Sequence, residues 1–442
     1  MHWLSDWHRV LCCALLVGGF GTVAGNPQGA AAQPARADTS APARAAPHPN
    51  TVPYESDRST LYHVLAAPAY VLHGVTRPVG WTVKYLERNY PGLFKPTPRR
   101  RGALPLVELG GPVGVTGGLA LYDRRLFGSR HTARVEAILG ARDFFEVEAR
   151  YTIPEVAGTG TRLSVEGNYF SEPEDRFFMG GVRGDRQIDE ARFSRRQVDA
   201  TTRLQYRGAT WGAAAELRYE RVEASPTEDD SARPIGMPGL TTVNLLTPRA
   251  ELALDFTRGG PRTSAGTRLL LRADYTQDLV SHRFRYGRYT ATVQQYVPLT
   301  VFPPGRRLVL RGRIEQAEPL LGGEAIPFYQ LPRLGGQRSL RGFLSDRFQD
   351  NGSLLLTAEY RYPIWTNRYP GWTGVDATFF VDAGQVFGAF SGIAVNDFKM
   401  SVGGGLHLLN RRGLSARFEV ARSVEGTHVI LTVRPALDRL PR

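Results

Sequence analysis

The chain is poor in lysine, in cysteine and in long apolar runs, and each shortage removes a class of protein. Only Lys84, Lys95 and Lys399 are lysines among the 55 basic residues, which leaves 52 arginines. Arginine's planar fork suits carboxylate and phosphate partners. A net charge of +13 would suit nucleic acid, yet only Arg99, Arg100 and Arg101 form a block. The remaining arginines are scattered through alternating segments, which points to a solvated or lumenal lining and to no nucleic acid partner. Both cysteines, Cys12 and Cys13, lie in the first apolar run, so no disulfide framework is available downstream. That run, Val10–Gly25, is the longest, and its sixteen residues fall short of the roughly 20 of a membrane helix. Gly-x-Ser-x-Gly, a P-loop and His-Glu-x-x-His are all missing, and His48, His63, His73, His131, His282, His407 and His428 show no paired metal spacing. The sequence therefore predicts no enzyme, no cofactor and no metal.

What is present begins with a secretory leader. Arg9, the apolar run and the small residues after it read as a signal peptide over 1–32, with Gly25, Ala32 and Ala37 as candidate cleavage positions and Ala32 preferred. Residues 33–56 are Ala, Pro, Arg, Ser and Thr with little apolar bulk and read as a disordered linker. Over 57–102, Leu61, Leu65, Leu72, Val75, Val79 and Leu86 recur at helical spacing, interrupted by Pro68 and Pro78. Two placements fit this short N-terminal helical segment: on the inner leaflet with its aromatic residues at headgroup level, or packed under or into the main domain.

From residue 103 to 436 the period changes to two. Leu354, Leu356, Ala358, Tyr360 and Tyr362 alternate with Ser353, Thr357, Glu359 and Arg361, and Leu414, Ala416, Phe418 and Val420 alternate with Ser415, Arg417 and Glu419. Tyr169, Tyr206, Tyr275, Tyr360 and Tyr362 close apolar faces, as in an interfacial girdle. Fifteen such segments, plus Leu104–Leu109 at the front, give an all-β fold: a 16-stranded transmembrane antiparallel β-barrel of the bacterial outer membrane. The connections at 171–196, 223–247 and 317–352 are long and share one rim, whereas 207–209 and 409–412 are short and share the other. Sixteen strands enclose a lumen that side chains alone do not fill. The short first strand, stopped at Gly110-Gly111-Pro112, predicts a weak seam against the last strand, 427–435.

The longest connection contains Leu334-Gly335-Gly336-Gln337-Arg338-Ser339-Leu340-Arg341-Gly342-Phe343; Thr357–Pro363 and Phe379–Phe387 follow it. These three motifs, in this order, resemble the bacterial surface-antigen superfamily of barrel-assembly insertases and two-partner secretion transporters. The resemblance covers about 103–436, more faintly in the first half. It implies that the loop 318–350 folds into the barrel and that Arg341 meets Glu359 and Asp382, with Gly335, Gly336, Gly342 and Phe343 shaping the loop. An unpaired cation in a lumen is costly, which gives the same pairing an independent reason. The polypeptide-transport-associated domains of these families have no counterpart in the 70 residues of 33–102, half linker and half helix. The implied role is protein insertion into, or transport across, the outer membrane. The implied partners are outer-membrane lipids and an unfolded or secreted polypeptide client, or a separate periplasmic partner. A passive or plugged pore without a client is the rival reading.

Overall fold

Alternating polar and apolar residues cannot form a two-faced sheet in lipid unless the sheet closes, because an open edge would leave backbone groups without partners. The computed structural model shows that closure. It describes residues 100–433 apart from 157, 180–188, 228–236, 260–264, 300–304, 324, 367–371 and 411–412, together with Trp81, Lys84, Tyr85, Arg88 and Asn89. The expected signal peptide, the linker and nearly all of the helical segment lie outside the described residues, as does 434–436.

The elements are β1 (Arg101–Gly111), β2 (Gly114–Asp123), β3 (Thr132–Gly140), β4 (Phe145–Val156), β5 (Thr161–Met179), β6 (Asp189–Arg207), β7 (Trp211–Pro226), β8 (Thr242–Asp255), β9 (Gly266–Asp278), β10 (Arg285–Pro298), β11 (Arg307–Pro319), β12 (Arg333–Leu334), β13 (Phe348–Gln349), β14 (Gly352–Thr366), β15 (Trp372–Phe387), β16 (Lys399–Asn410), β17 (Gly413–Ser423) and β18 (Gly426–Val433). Sixteen of them form one closed antiparallel barrel in chain order, with β11 paired directly to β14 and β1 to β18. The two-residue strands β12 and β13 pair with each other inside the β11–β14 connection. Outward positions such as Leu119, Leu121, Val198, Leu217, Val381 and Val402 are exposed, while Glu136, Asp199, Glu220, Asp274, Asp382 and Glu419 are buried on the lumenal face. Tyr169, Tyr206 and Tyr275 are exposed as a girdle requires; Tyr362 departs from the expectation and is buried against Ala377.

Two expectations change. β5 and β6 run 19 residues each, so much of 171–196 is strand rather than loop. Their outer halves carry Glu172, Asp175, Arg192 and Arg195, whose charges hide the alternation, and Arg195 pairs with Asp175 at 2.8 Å. Over their inner face lies an apolar cluster of Phe177, Phe193, Val222 and Ala224 with Phe328 and Tyr329 of the long loop. The seam is also weak for a different reason than a short first strand, because β1 has 11 residues. Among the described residues β1 meets β18 at only three positions, Val107↔Val433, Glu108↔Thr432 and Leu109↔Leu431, against ten between β1 and β2. Toward the outer rim, Gly426–Ile430 have ladder partners on β17 alone among the described residues. β1 has by then ended at Gly111, and Pro112 has no N–H with which to continue the ladder.

Candidate functional site

The connection between β11 and β14 turns into the lumen. Gly335 and Gly336 stand at φ of +120° and +81°, and a side-chain carbon at either would collide with Leu344 or Ser345 of the returning loop. Ser339 ties the turn by accepting from the Gly335 N–H at 2.8 Å and donating to the Gly335 carbonyl at 2.9 Å. Leu334, Leu340, Phe343 and Phe348 then pack on Leu355 and Val386 of the wall, with the Phe343 and Phe348 rings edge to face at 5.1 Å. Each such side chain contributes about 1.5 to 3 kcal/mol on burial.

This seat places Arg341 over three carboxylates. Its Nε and Nη2 donate to the two oxygens of Asp382 on β15, both at 2.8 Å, and its Nη1 reaches Glu359 on β14 at 3.2 Å and Glu419 on β17 at 3.1 Å. The backbone N–H of Arg341 also donates to Asp382, at 3.3 Å. The guanidinium carbon lies 3.2 Å from the centroid of Phe380. Gly403 beside Phe380 is bare by necessity, since a Cβ there would meet both that ring and the Val420 carbonyl. Burial opposes the charge on Arg341, but the hydrogen bonds and charge of Asp382, with Glu419 and Glu359 behind them, hold its proton more firmly than usual. Arg361 bonds Glu359 at 2.5 Å and Arg417 stands 3.6 Å from Glu419, so three arginines face three carboxylates. His407 contacts Glu419 at 2.8 Å.

The expected residues Gly335, Gly336, Arg341, Gly342, Phe343, Glu359 and Asp382 all fall in this one region. Glu419, Phe380 and Gln337 were not anticipated. The strand parity does put Glu419 on the polar face, but no local pattern tells which strands meet across a closed barrel. Gln337 is the most consequential of the three. Its side-chain amide donates to Glu108 on β1, while its carbonyl accepts from Arg417 on β17 at 3.1 Å and from Thr432 on β18 at 2.8 Å. One loop residue thus spans the seam at the Glu108↔Thr432 pair. Above it, a cavity of about 200 Å3 is lined by Gly110, Gly111, Arg341, Phe343, His428 and Ile430.

Residues 125–424 match the Omp85 superfamily domain. The chain belongs to the Omp85 superfamily. Its Omp85 barrel is an outer-membrane protein, and the fold recurs in solved structures. BamA from Haemophilus ducreyi lacking POTRA domains 1–3 is similar at 16% identity and a TM-score of 0.54, covering 76% of this chain and 70% of that one. CdiB from Escherichia coli is similar at 14% identity and a TM-score of 0.52, covering 75% of this chain and 62% of its own. The chain therefore spans under two thirds of that CdiB. No curated protein sequence matches it.

Gln337→Ala in this Omp85 barrel removes the only side chain described as bridging β1, β17 and β18, and with it the bonds to Glu108, Arg417 and Thr432. The loss is expected to be about 1 to 3 kcal/mol. Hydrogen exchange at 106–109 and 430–433 should quicken about tenfold or more, since 1.4 kcal/mol is a factor of ten. Exchange in β5 and β6 should not change. Equal acceleration everywhere would mean that Gln337 supports the barrel at large and not the seam.

Proposed function

We propose that this barrel assists the insertion of proteins into the outer membrane or the export of polypeptides across it. The observation that carries this reading is the joining of plug and seam. The same loop that fills the lumen through Arg341 also clasps, through Gln337, the strand pair with the fewest described ladder positions. A pore that only passes solutes needs a constriction, and it has no use for a constriction fastened to a lateral joint. An insertase or exporter uses both, because moving the loop would release the seam.

The test is a disulfide across that joint. Leu109 and Leu431 are directly paired, and the only native cysteines are Cys12 and Cys13. With cysteines at both positions, oxidation should abolish client insertion or export while the barrel stays folded by its heat-modified migration in gels, and reduction should restore activity. Undiminished activity in the oxidised protein would favour the passive pore.

A further inference from the structure

Nearly every arginine on the lumenal wall is matched by a carboxylate. Arg203 and Arg249 share Glu216, Arg272 reaches Glu251, Arg288 lies 3.7 Å from Glu315, and Arg307 lies 3.7 Å from Asp376. Arg311 and Arg313 of β11 break the pattern. Neither makes an ion pair or side-chain hydrogen bond among the described residues, and the Nε of Arg313 is buried without an acceptor. Their cross-strand neighbours are Gln294 and Thr357 for Arg311, and Thr292 and Leu355 for Arg313. Those directly paired neighbours supply hydroxyl and amide groups, while the carboxylates stand one pleat away, Glu359 past Thr357 for Arg311 and Glu315 along β11 for Arg313. The nearest acids along the wall, Glu315 and Glu359, are already engaged, the first by Arg288 and the second by Arg341 and Arg361.

Two guanidiniums one residue apart on a strand stand about 7 Å from each other and repel. Holding both away from bulk water with only a shared counter-charge is unfavourable. An anion that bridges them would relieve both costs. We propose that Arg311 and Arg313, with Thr292, Gln294 and Thr357, form a lumenal binding site for the carboxylates of an acidic polypeptide segment in extended conformation. In such a segment the side chains of alternate residues share one face and repeat at the same spacing of about 7 Å, so two carboxylates meet two forks. The inference rests on the polypeptide-handling reading above and gives that client a chemical character: acidic residues at alternate positions.

The experiment is calorimetric titration of the full chain in detergent with three probes: an alternating aspartate–serine octapeptide, its asparagine–serine counterpart, and inorganic phosphate. The acidic peptide is expected to bind and the amide peptide not. Arg311→Gln and Arg313→Gln should each weaken the acidic peptide about tenfold, and the double variant should lose it. The double variant should melt no lower than the parent, because it removes repulsion and no ion pair. Full binding of the acidic peptide by the double variant, or its displacement by an equal concentration of phosphate, would overturn the proposal. Peptide binding that survives in a chain shown to handle no client would retire the transport reading and leave the site in place.

Discussion

Arg341→Ala is expected to undock the loop. The substitution removes a guanidinium held by four hydrogen bonds to Asp382, Glu359 and Glu419, and it uncovers the Phe380 ring. Glu359 then keeps Arg361, Glu419 keeps Arg417 and His407, and Asp382 is left with neutral donors, the Ser401 hydroxyl and the residue 341 N–H. Breaking one partner out of a buried ion pair costs about 3 to 5 kcal/mol, and lumenal water should reduce this. The visible results should be a lower melting temperature, new protease cleavage within 320–351, and larger or steadier conductance in planar bilayers. Arg341→Lys should recover only part of the loss, because an ammonium is a point donor and cannot serve carboxylates on three strands at once. If melting, proteolysis and conductance all stay at parental values in Arg341→Ala, the charge cluster does not hold the loop.

Gly342→Val should produce the same three signatures through shape alone. A Cβ on Gly342 would come within 2.7 Å of the Ser401 Cβ and 2.8 Å of the Arg422 carbonyl carbon, and wall backbone has little room to yield. Ser423 also donates to the Gly342 carbonyl at 2.5 Å, a bond that a raised loop forfeits. Overpacking of this kind typically costs about 1 to 3 kcal/mol. Because both substitutions act on one event, the double variant Arg341→Ala/Gly342→Val should be scarcely worse than either single one. Additive losses in melting temperature would show instead that the two residues stabilise separate parts of the molecule.

The barrel was legible because lipid enforces period two: a strand such as β15 has to show Phe379 and Val381 outward while Asp376 and Thr378 turn inward, and it does. The pairing of Arg341 with Glu359 and Asp382 was within reach through the resemblance, whose motifs on the loop, β14 and β15 occur together in this order. Glu419 and Gln337 were not, since their contacts depend on how far the sheet is staggered when it closes, a property of all sixteen strands and of no single one. The overhang of β5 and β6 escaped for the opposite reason. Once clear of lipid, a strand need not keep an apolar outer face, and Glu172–Asp175 and Arg192–Arg196 then look like loop.

The direct pairing of β11 with β14 has a kinetic consequence. These strands are zipped together from Arg307↔Arg361 to Gln316↔Gly352, so the 320–351 segment is an excursion from a wall that is already complete behind it. It can leave the lumen without opening the β11–β14 ladder. It also cannot go far, because both ends are anchored within one inter-strand spacing of each other. Re-entry is then an intramolecular encounter at high effective concentration, which a free plug of the same affinity would not enjoy. Open intervals should therefore be brief and numerous, and their dwell times should be independent of how much protein is present in the membrane.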